Sequence, residues 1–202
     1  TSTGATPKAI AVKAAANAAL HFDGVNDYVE VDALAANLNS NFTISFWVNV
    51  EDYRSEDSYV FSVNTSVNGN RFLIGIDNID HRPIFHYYES GEKSIAIGDK
   101  NIIDINEWYN FSLSKSGSEY KFYLNGILLE TFSASITVSV GDKVSLGQEF
   151  DNGPRITNEL FGKIDELRIW NKALSLEEIE SQMFETLQGN ESGLLAYYNF
   201  ND

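Results

Sequence analysis

From Ala19 onward the chain is a succession of short apolar runs, rich in Val, Ile, Phe, Tyr and Thr and separated by clusters of Gly, Asn, Asp and Ser. This pattern predicts strands at Leu20 to Phe22, Asp27 to Val31, Phe42 to Val50, Tyr59 to Val63, Arg71 to Asp77, Ile84 to Tyr88 and Ser94 to Ile97. Further strands are predicted at Trp108 to Lys115, Glu119 to Leu124, Ile127 to Phe132, Lys143 to Gly147, Lys163 to Trp170 and Leu194 to Phe200. In the third of these, Phe42, Ile44, Phe46 and Val48 fall on one face and Thr43, Ser45, Trp47 and Asn49 on the other, so the apolar set is expected to meet the core. Asn125-Gly126 supplies the positive-φ residues of a two-residue hairpin, and Ser116-Gly117 separates two more β runs, which together predict a three-stranded meander. One helix is predicted over SLEEIESQMFETL: Ser175 and Glu178 form a capping box, Leu176, Ile179, Met183 and Leu187 make one stripe, and Gly189 ends it. Many short strands with one late helix give an all-β fold, a two-sheet antiparallel β-sandwich; a doubly wound α/β fold would need crossover helices that the pattern lacks.

Composition narrows this picture. The chain has 202 residues, 43% of them apolar and 21% charged, which suits a single globular domain that needs no disulfide or metal staple. The first eighteen residues are rich in alanine and hold no aromatic residue, so 1–18 read as a linker, leading helix or tail and 19–202 as the domain. The apolar runs are shorter than the ~20 residues of a membrane helix, and the start lacks the charged-then-apolar order of a signal peptide. With 14 basic against 29 acidic residues and a net charge of -15, the chain would repel a phosphate backbone, which argues against nucleic acid and anionic membranes as partners. Cysteine is absent, excluding disulfides and thiolate chemistry.

Catalytic patterns are missing from the sequence. There is no GxSxG elbow, GxxxxGK phosphate loop, HExxH helix or dinucleotide fingerprint. His21 abuts an apolar strand, and His81 and His86, around Pro83, are too few for a zinc site. The paired carboxylates of a glycosidase would stand at alternate positions of one strand, whereas Asp165 and Glu166 are adjacent and expected on opposite faces. A non-enzyme is the expectation.

Four segments in order, ALHFDGVNDYVEV at 19–31, FTISFWVNV at 42–50, EWYNFSLSKSGSEYKFYLNGILL at 107–129 and FGKIDELRIWNKALSLEEI at 161–179, resemble the laminin G-like, concanavalin A-like jelly-roll domains of bacterial secreted and surface proteins. GLLAYYNF at 193–200 is similar to their terminal strand. The resemblance implies two stacked, curved antiparallel sheets, with Phe22, Phe46, Trp47, Trp108, Phe122, Ile164, Leu167 and Trp170 as core. It also implies a structural calcium ion near the FDG loop, for which Asp23 and Asp165 match the motifs, supplemented by Asn26, Asp27 or nearby carbonyls. The alternative for Asp23 is a turn cap on its own backbone.

The fold hosts lectins, glycanases and protein-binding modules alike, so a ligand must be argued from residues. Sugar recognition pairs an aromatic face for the ring's C–H surface with planar amides, carboxylates or guanidinium groups for hydroxyls. That mixture occurs at 51–59, 77–88 and 148–159, singling out Tyr53, Arg54, His81, Arg82, His86, Tyr88, Asp151, Asn152 and Arg155. The expectation is a noncatalytic recognition module of a larger secreted or cell-surface protein, binding a polysaccharide or glycan. The alternative is a structural or adhesive domain that contacts neighbouring domains or a protein partner without a sugar site.

Overall fold

The computed structural model describes residues 18–65, 70–151 and 155–201. The expected leading segment therefore lies, but for Ala18, outside the described residues. The strands are β1 (Leu20–Asp23), β2 (Val29–Glu30), β3 (Phe42–Val50), β4 (Ser58–Asn64), β5 (Asn70–Ile76), β6 (Pro83–Tyr88), β7 (Glu92–Ala96) and β8 (Trp108–Ser116). They continue as β9 (Glu119–Leu124), β10 (Ile127–Ser133), β11 (Lys143–Leu146), β12 (Glu149–Asp151), β13 (Arg155–Thr157), β14 (Phe161–Trp170) and β15 (Leu194–Tyr198), with the helix α1 (Leu176–Gln182) between the last two. One sheet has the order β1-β14-β3-β8-β9-β10, with β15 also on β14; the other has the order β2-β11-β4-β5-β6-β7; β12 and β13 form a separate hairpin.

The inner faces of the two large sheets enclose one core. Phe42, Ile44, Phe46 and Val48 of β3 meet Phe61, Phe72 and Phe85 of the other sheet in a single buried cluster, as the alternation in β3 predicts. Aromatic rings fill it at close range: Phe42 stacks on Phe72 with centroids 5.9 Å apart, and Phe85 lies 5.7 Å from Tyr120. The β8–β9–β10 meander forms in register around Asn125, whose φ of 51° and that of Gly126 at 76° are what the tight turn requires.

Three expectations are corrected. The strand expected from Asp27 to Val31 shortens to Val29–Glu30, because the Asp27 carboxylate accepts the Asp23 N–H and holds Asp27 in the preceding loop. Within 148–159, β12 and β13 pair as antiparallel strands. The helix stops at Gln182, not near Leu187, and Leu176 faces outward instead of joining the buried stripe. Side chains of the sheet compete for the carbonyls at its end: Arg168 donates to Gln182 O and, at 2.6 Å, to Glu185 O, and Trp47 Nε1 donates to Met183 O at 3.3 Å.

Those bonds seal the outer face of the seven-stranded sheet. Thr43, Trp47 and Asn49, the polar-phase residues of β3, are buried there. A second apolar cluster of Tyr123, Trp170, Leu174, Ile179 and Leu187 joins β9, β14 and the α1 segment. Ser175 caps α1 through the predicted box, its Oγ accepting Glu178 N–H while the Glu178 carboxylate accepts Ser175 N–H.

Candidate functional site

The outer face of the six-stranded sheet is treated differently by the chain. Over β4 and β11 it is covered by the β12–β13 hairpin: Ser62 Oγ donates to Gln148 O at 2.7 Å, Ser145 Oγ to the same carbonyl at 3.2 Å, and Asn64 Nδ2 to Phe150 O at 3.3 Å. The far end of the hairpin is tied by Tyr59 N–H to Asn158 O and by Asn158 Nδ2 to Asp57 O. Over β5 and the start of β6 the face is also closed, with Tyr59, Leu73 and Ile84 in a buried cluster, and the exposed positions lie toward β7, at Tyr88, Glu92, Ser94 and Ala96.

Register and alternation place three cross-strand rows on that outer side. Phe72, Ile74, Phe85 and Tyr87 point into the core, so their neighbours Arg71, Leu73, Gly75, Ile84, His86 and Tyr88 point out. Tyr88 pairs with Glu92, His86 with Leu73 and Ser94, and Ile84 with Gly75 and Ala96. Tyr88, opposite Glu92, is 52% exposed. The next row sets His86 beside Ser94. His86 Nδ1 shares a 2.6 Å hydrogen bond with the Tyr59 hydroxyl, which fixes the imidazole over the third row. Asp57, near His86, has its carboxyl raised above the usual range by burial.

The nine residues expected to contact ligand do not assemble into one site. His86 and Tyr88 share the open face. Tyr53, Arg54, His81 and Arg82 are at loop ends, where each is already engaged: the Tyr53 ring stacks on His81 with centroids 3.6 Å apart, and its hydroxyl donates to Ile103 O. Arg82 pairs with Asp80 at 2.7 Å and donates to Gly98 O; Arg54 donates to Gly24 O at 2.9 Å. Asp151 and Arg155 are backbone partners in the β12–β13 ladder, and Asn152 lies outside the described residues. Local sequence mixtures flagged the loops because packing pairs and binding pairs use the same residue types.

Glu92 and Ser94 were missed. Their signal was the alternation of EKSIA against the core-facing Ile95, which sets their side but not their row. The Arg71 guanidinium is engaged by Asp142, just before β11, at 2.9 Å from its Nε. Gln148 was passed over within its segment; it is 0% exposed and, among the described residues, its side-chain amide has no hydrogen-bond partner.

The expected calcium set fails a distance test. Ligands of one calcium ion lie 2.3–2.6 Å from it, hence within about 5 Å of one another. Asp23 stands opposite Phe161 in the β1–β14 ladder, and Asp165 is four residues further along β14, a span of about 13 Å. Asp23 Oδ1 instead accepts Val25 N–H at 2.9 Å, the turn-capping alternative, and Asn26 is exposed. No group of three His, Asp or Glu side chains suited to a metal occurs among the described residues.

The carboxylates of β14 also depart from expectation. A bulge between Asp165 and Arg168, with Glu166 at φ 53°, breaks the alternation. Asp165, opposite Trp47, and Glu166 consequently share the outer side of the seven-stranded sheet. Glu166 is consumed there by Arg168 at 2.6 Å and by the Tyr197 hydroxyl at 2.8 and 3.0 Å. Asp165, half-buried and bonded to the Glu166 amide, is pushed up to about 6 by burial. A cavity of about 420 Å³ opens elsewhere on this side, between β8–β9 and the start of α1, lined by Ser114, Lys121, Tyr123 and Ser175.

Comparison with known proteins places this geometry. Among solved structures, the CBM40 domain of the Ruminococcus gnavus IT-sialidase bound to α2,3-sialyllactose is similar at a TM-score of 0.66 and 15% identity, covering 82% of this chain and 95% of that one. A candidate carbohydrate-binding protein of Bacteroides ovatus is similar at 0.61 and 16%, covering 90% of this chain but 48% of that one. A heptameric SAP-like pentraxin of Limulus polyphemus is similar at 0.56 and 21%, covering 70% and 69%. At these identities the likeness is one of fold. No curated protein matches the sequence. The laminin G-like model of the concanavalin A-like lectin/glucanases superfamily matches residues 23–180, more than half of the chain, in agreement with the two-sheet sandwich; the chain belongs to that family.

Proposed function

We propose that this domain is a noncatalytic carbohydrate-recognition module of a larger secreted or cell-surface protein, and that it takes its glycan on the outer face of β6 and β7. The observation that carries the reading is the pair Tyr88–Glu92 beside His86–Ser94. An exposed ring offers its face to a sugar's C–H surface, while a carboxylate, an imidazole and a hydroxyl stand on the same and the neighbouring strand to meet hydroxyl groups. The similar solved structures include a carbohydrate-binding domain holding sialyllactose, which supports the same class of ligand here.

The noncatalytic part rests on the carboxylates. Glycoside hydrolysis uses two that flank the scissile bond. The Tyr88, His86 and Ile84 rows carry one, Glu92, and in the β14 pair Glu166 is engaged by Arg168 and Tyr197.

A panel of arrayed glycans and insoluble polysaccharides tests the reading. Retention of one glycan class, weakened about tenfold or more by Tyr88→Ala with the melting temperature kept, is the expected result, tenfold being about 1.4 kcal/mol of contact. No retention of any glycan by the folded protein overturns it and leaves the adhesive alternative.

A further inference from the structure

The loop from Asp23 to Asp27 is closed by three hydrogen bonds of its own. Asp27 Oδ2 accepts Asp23 N–H at 2.9 Å, Asp23 Oδ1 accepts Val25 N–H at 2.9 Å, and Gly24 O accepts from Arg54 Nη2 at 2.9 Å. The guanidinium lies tight against the loop. A Cβ on Gly24 would come within 3.2 Å of Arg54 Cζ and 3.0 Å of Phe161 Cβ, and Cζ stands 6.0 Å from the Phe161 ring centroid. Gly24, at φ 74°, is what lets the backbone approach this closely.

We propose that the Arg54 guanidinium is the resident cation of this loop, standing where the family resemblance implies calcium, and that the loop itself takes no divalent ion. The carbonyl best placed to ligate a metal is already bonded to a fixed positive charge, and a divalent ion beside it would be repelled. Calcium needs six to eight oxygens, whereas one oxygen of each loop aspartate and the Gly24 carbonyl are already hydrogen-bonded. Asp165 is about 13 Å away along β14 and cannot complete the set. A planar guanidinium does what a metal would do for an exposed loop: it ties a backbone carbonyl to the adjoining strand while lying against an aromatic ring. The inference is independent of the glycan reading, because this loop is no part of the β6–β7 face.

The test is thermal unfolding of the whole chain in millimolar calcium and in chelator, for wild type, Arg54→Ala, Arg54→Lys, Asp23→Asn and Asp27→Asn. Arg54→Ala is expected to lower the melting temperature by roughly 5 °C in chelator, the scale of one charged hydrogen bond lost from a domain of this size. Arg54→Lys is expected to recover part of that, since an ammonium can reach the carbonyl but cannot lie flat on the ring. Any calcium response of the wild type is expected to survive both Asp variants unchanged, which would place it outside the loop. A calcium-induced rise that Asp23→Asn or Asp27→Asn abolishes would overturn the proposal, as would an Arg54→Ala protein as stable as wild type in chelator.

Discussion

The outer faces of the two sheets begin from similar sequence and end in opposite conditions. On β3 the out-facing set is Thr43, Ser45, Trp47 and Asn49; on β6 it is Ile84, His86 and Tyr88. Each mixes polar and aromatic residues, as a half-solvated antiparallel strand does. The first is closed over by α1 and the chain after it, which bury Trp47 and leave Trp170 at 1% exposure. The second is covered by the β12–β13 hairpin over β4 and β11, buries Leu73 and Ile84 against Tyr59, and is left open at Tyr88 and along β7. A polar and aromatic strand face thus does not itself say whether it is a site. What distinguishes them is whether a later segment brings apolar side chains to cover the aromatics and finds donors for its own carbonyls. The α1 segment does both, through Ile179 and Leu187 and through Arg168, Trp47 and Thr43, the last donating to Lys172 O at 2.9 Å.

The comparison breaks most readily on the sealed side. Trp170→Ala removes the largest side chain of the outer cluster and is expected to cost about 3–5 kcal/mol in urea unfolding, as large buried aromatics do when the space cannot collapse. Arg168→Leu is expected to cost about 3 kcal/mol, because it leaves Glu166 unpaired and strips Gln182 O and Glu185 O of their donor. A loss below about 0.5 kcal/mol in either would mean that the α1 segment rests on the sheet without holding to it.

A smaller effect sharpens the picture and carries a pH signature. The Asp165 carboxyl is raised from 3.8 to about 6 by burial, so its favourable contribution is fully present below pH 3.8 and is lost as pH rises through about 6. Asp165→Asn keeps the shape and removes that loss. It is expected to be more stable than wild type above pH 6 by roughly 1 kcal/mol, after allowance for solvent screening of a half-exposed group, and to lose this advantage in acid. An advantage that grows as the pH falls would contradict the burial account. Smallest of all, Tyr88→Ala on the open face is expected to change stability by less than about 0.5 kcal/mol.

The sandwich itself was legible because its signals are local. Alternation in Phe42–Val50, the Asn125-Gly126 turn and the Ser175–Glu178 box each hold in the folded chain for the reason the sequence suggests. What the sequence could not show depends on contacts far along the chain. The helix ends early because Arg168 and Trp47, on other strands, take its terminal carbonyls. The β14 alternation fails at a bulge that no residue type announces, since Glu166 occupies the positive-φ position where glycine or asparagine would have been the cue. Of the candidate ligand residues, His86 and Tyr88 were found in the strand that forms the open face. Glu92 and Ser94 join them only through the β6–β7 register. Tyr53 and His81 satisfy each other, a pairing invisible to a reading that scores each loop separately.

The most direct measurement is a two-dimensional NMR titration of the intact chain with the glycan that the binding panel retains. The account predicts that perturbed amides cluster on His86, Tyr88, Glu92 and Ser94 across β6 and β7. Perturbations centred instead on Ser114, Lys121, Tyr123 and Ser175, around the 420 Å³ cavity between β8–β9 and α1, would contradict it and move the binding site to the sealed side of the sandwich.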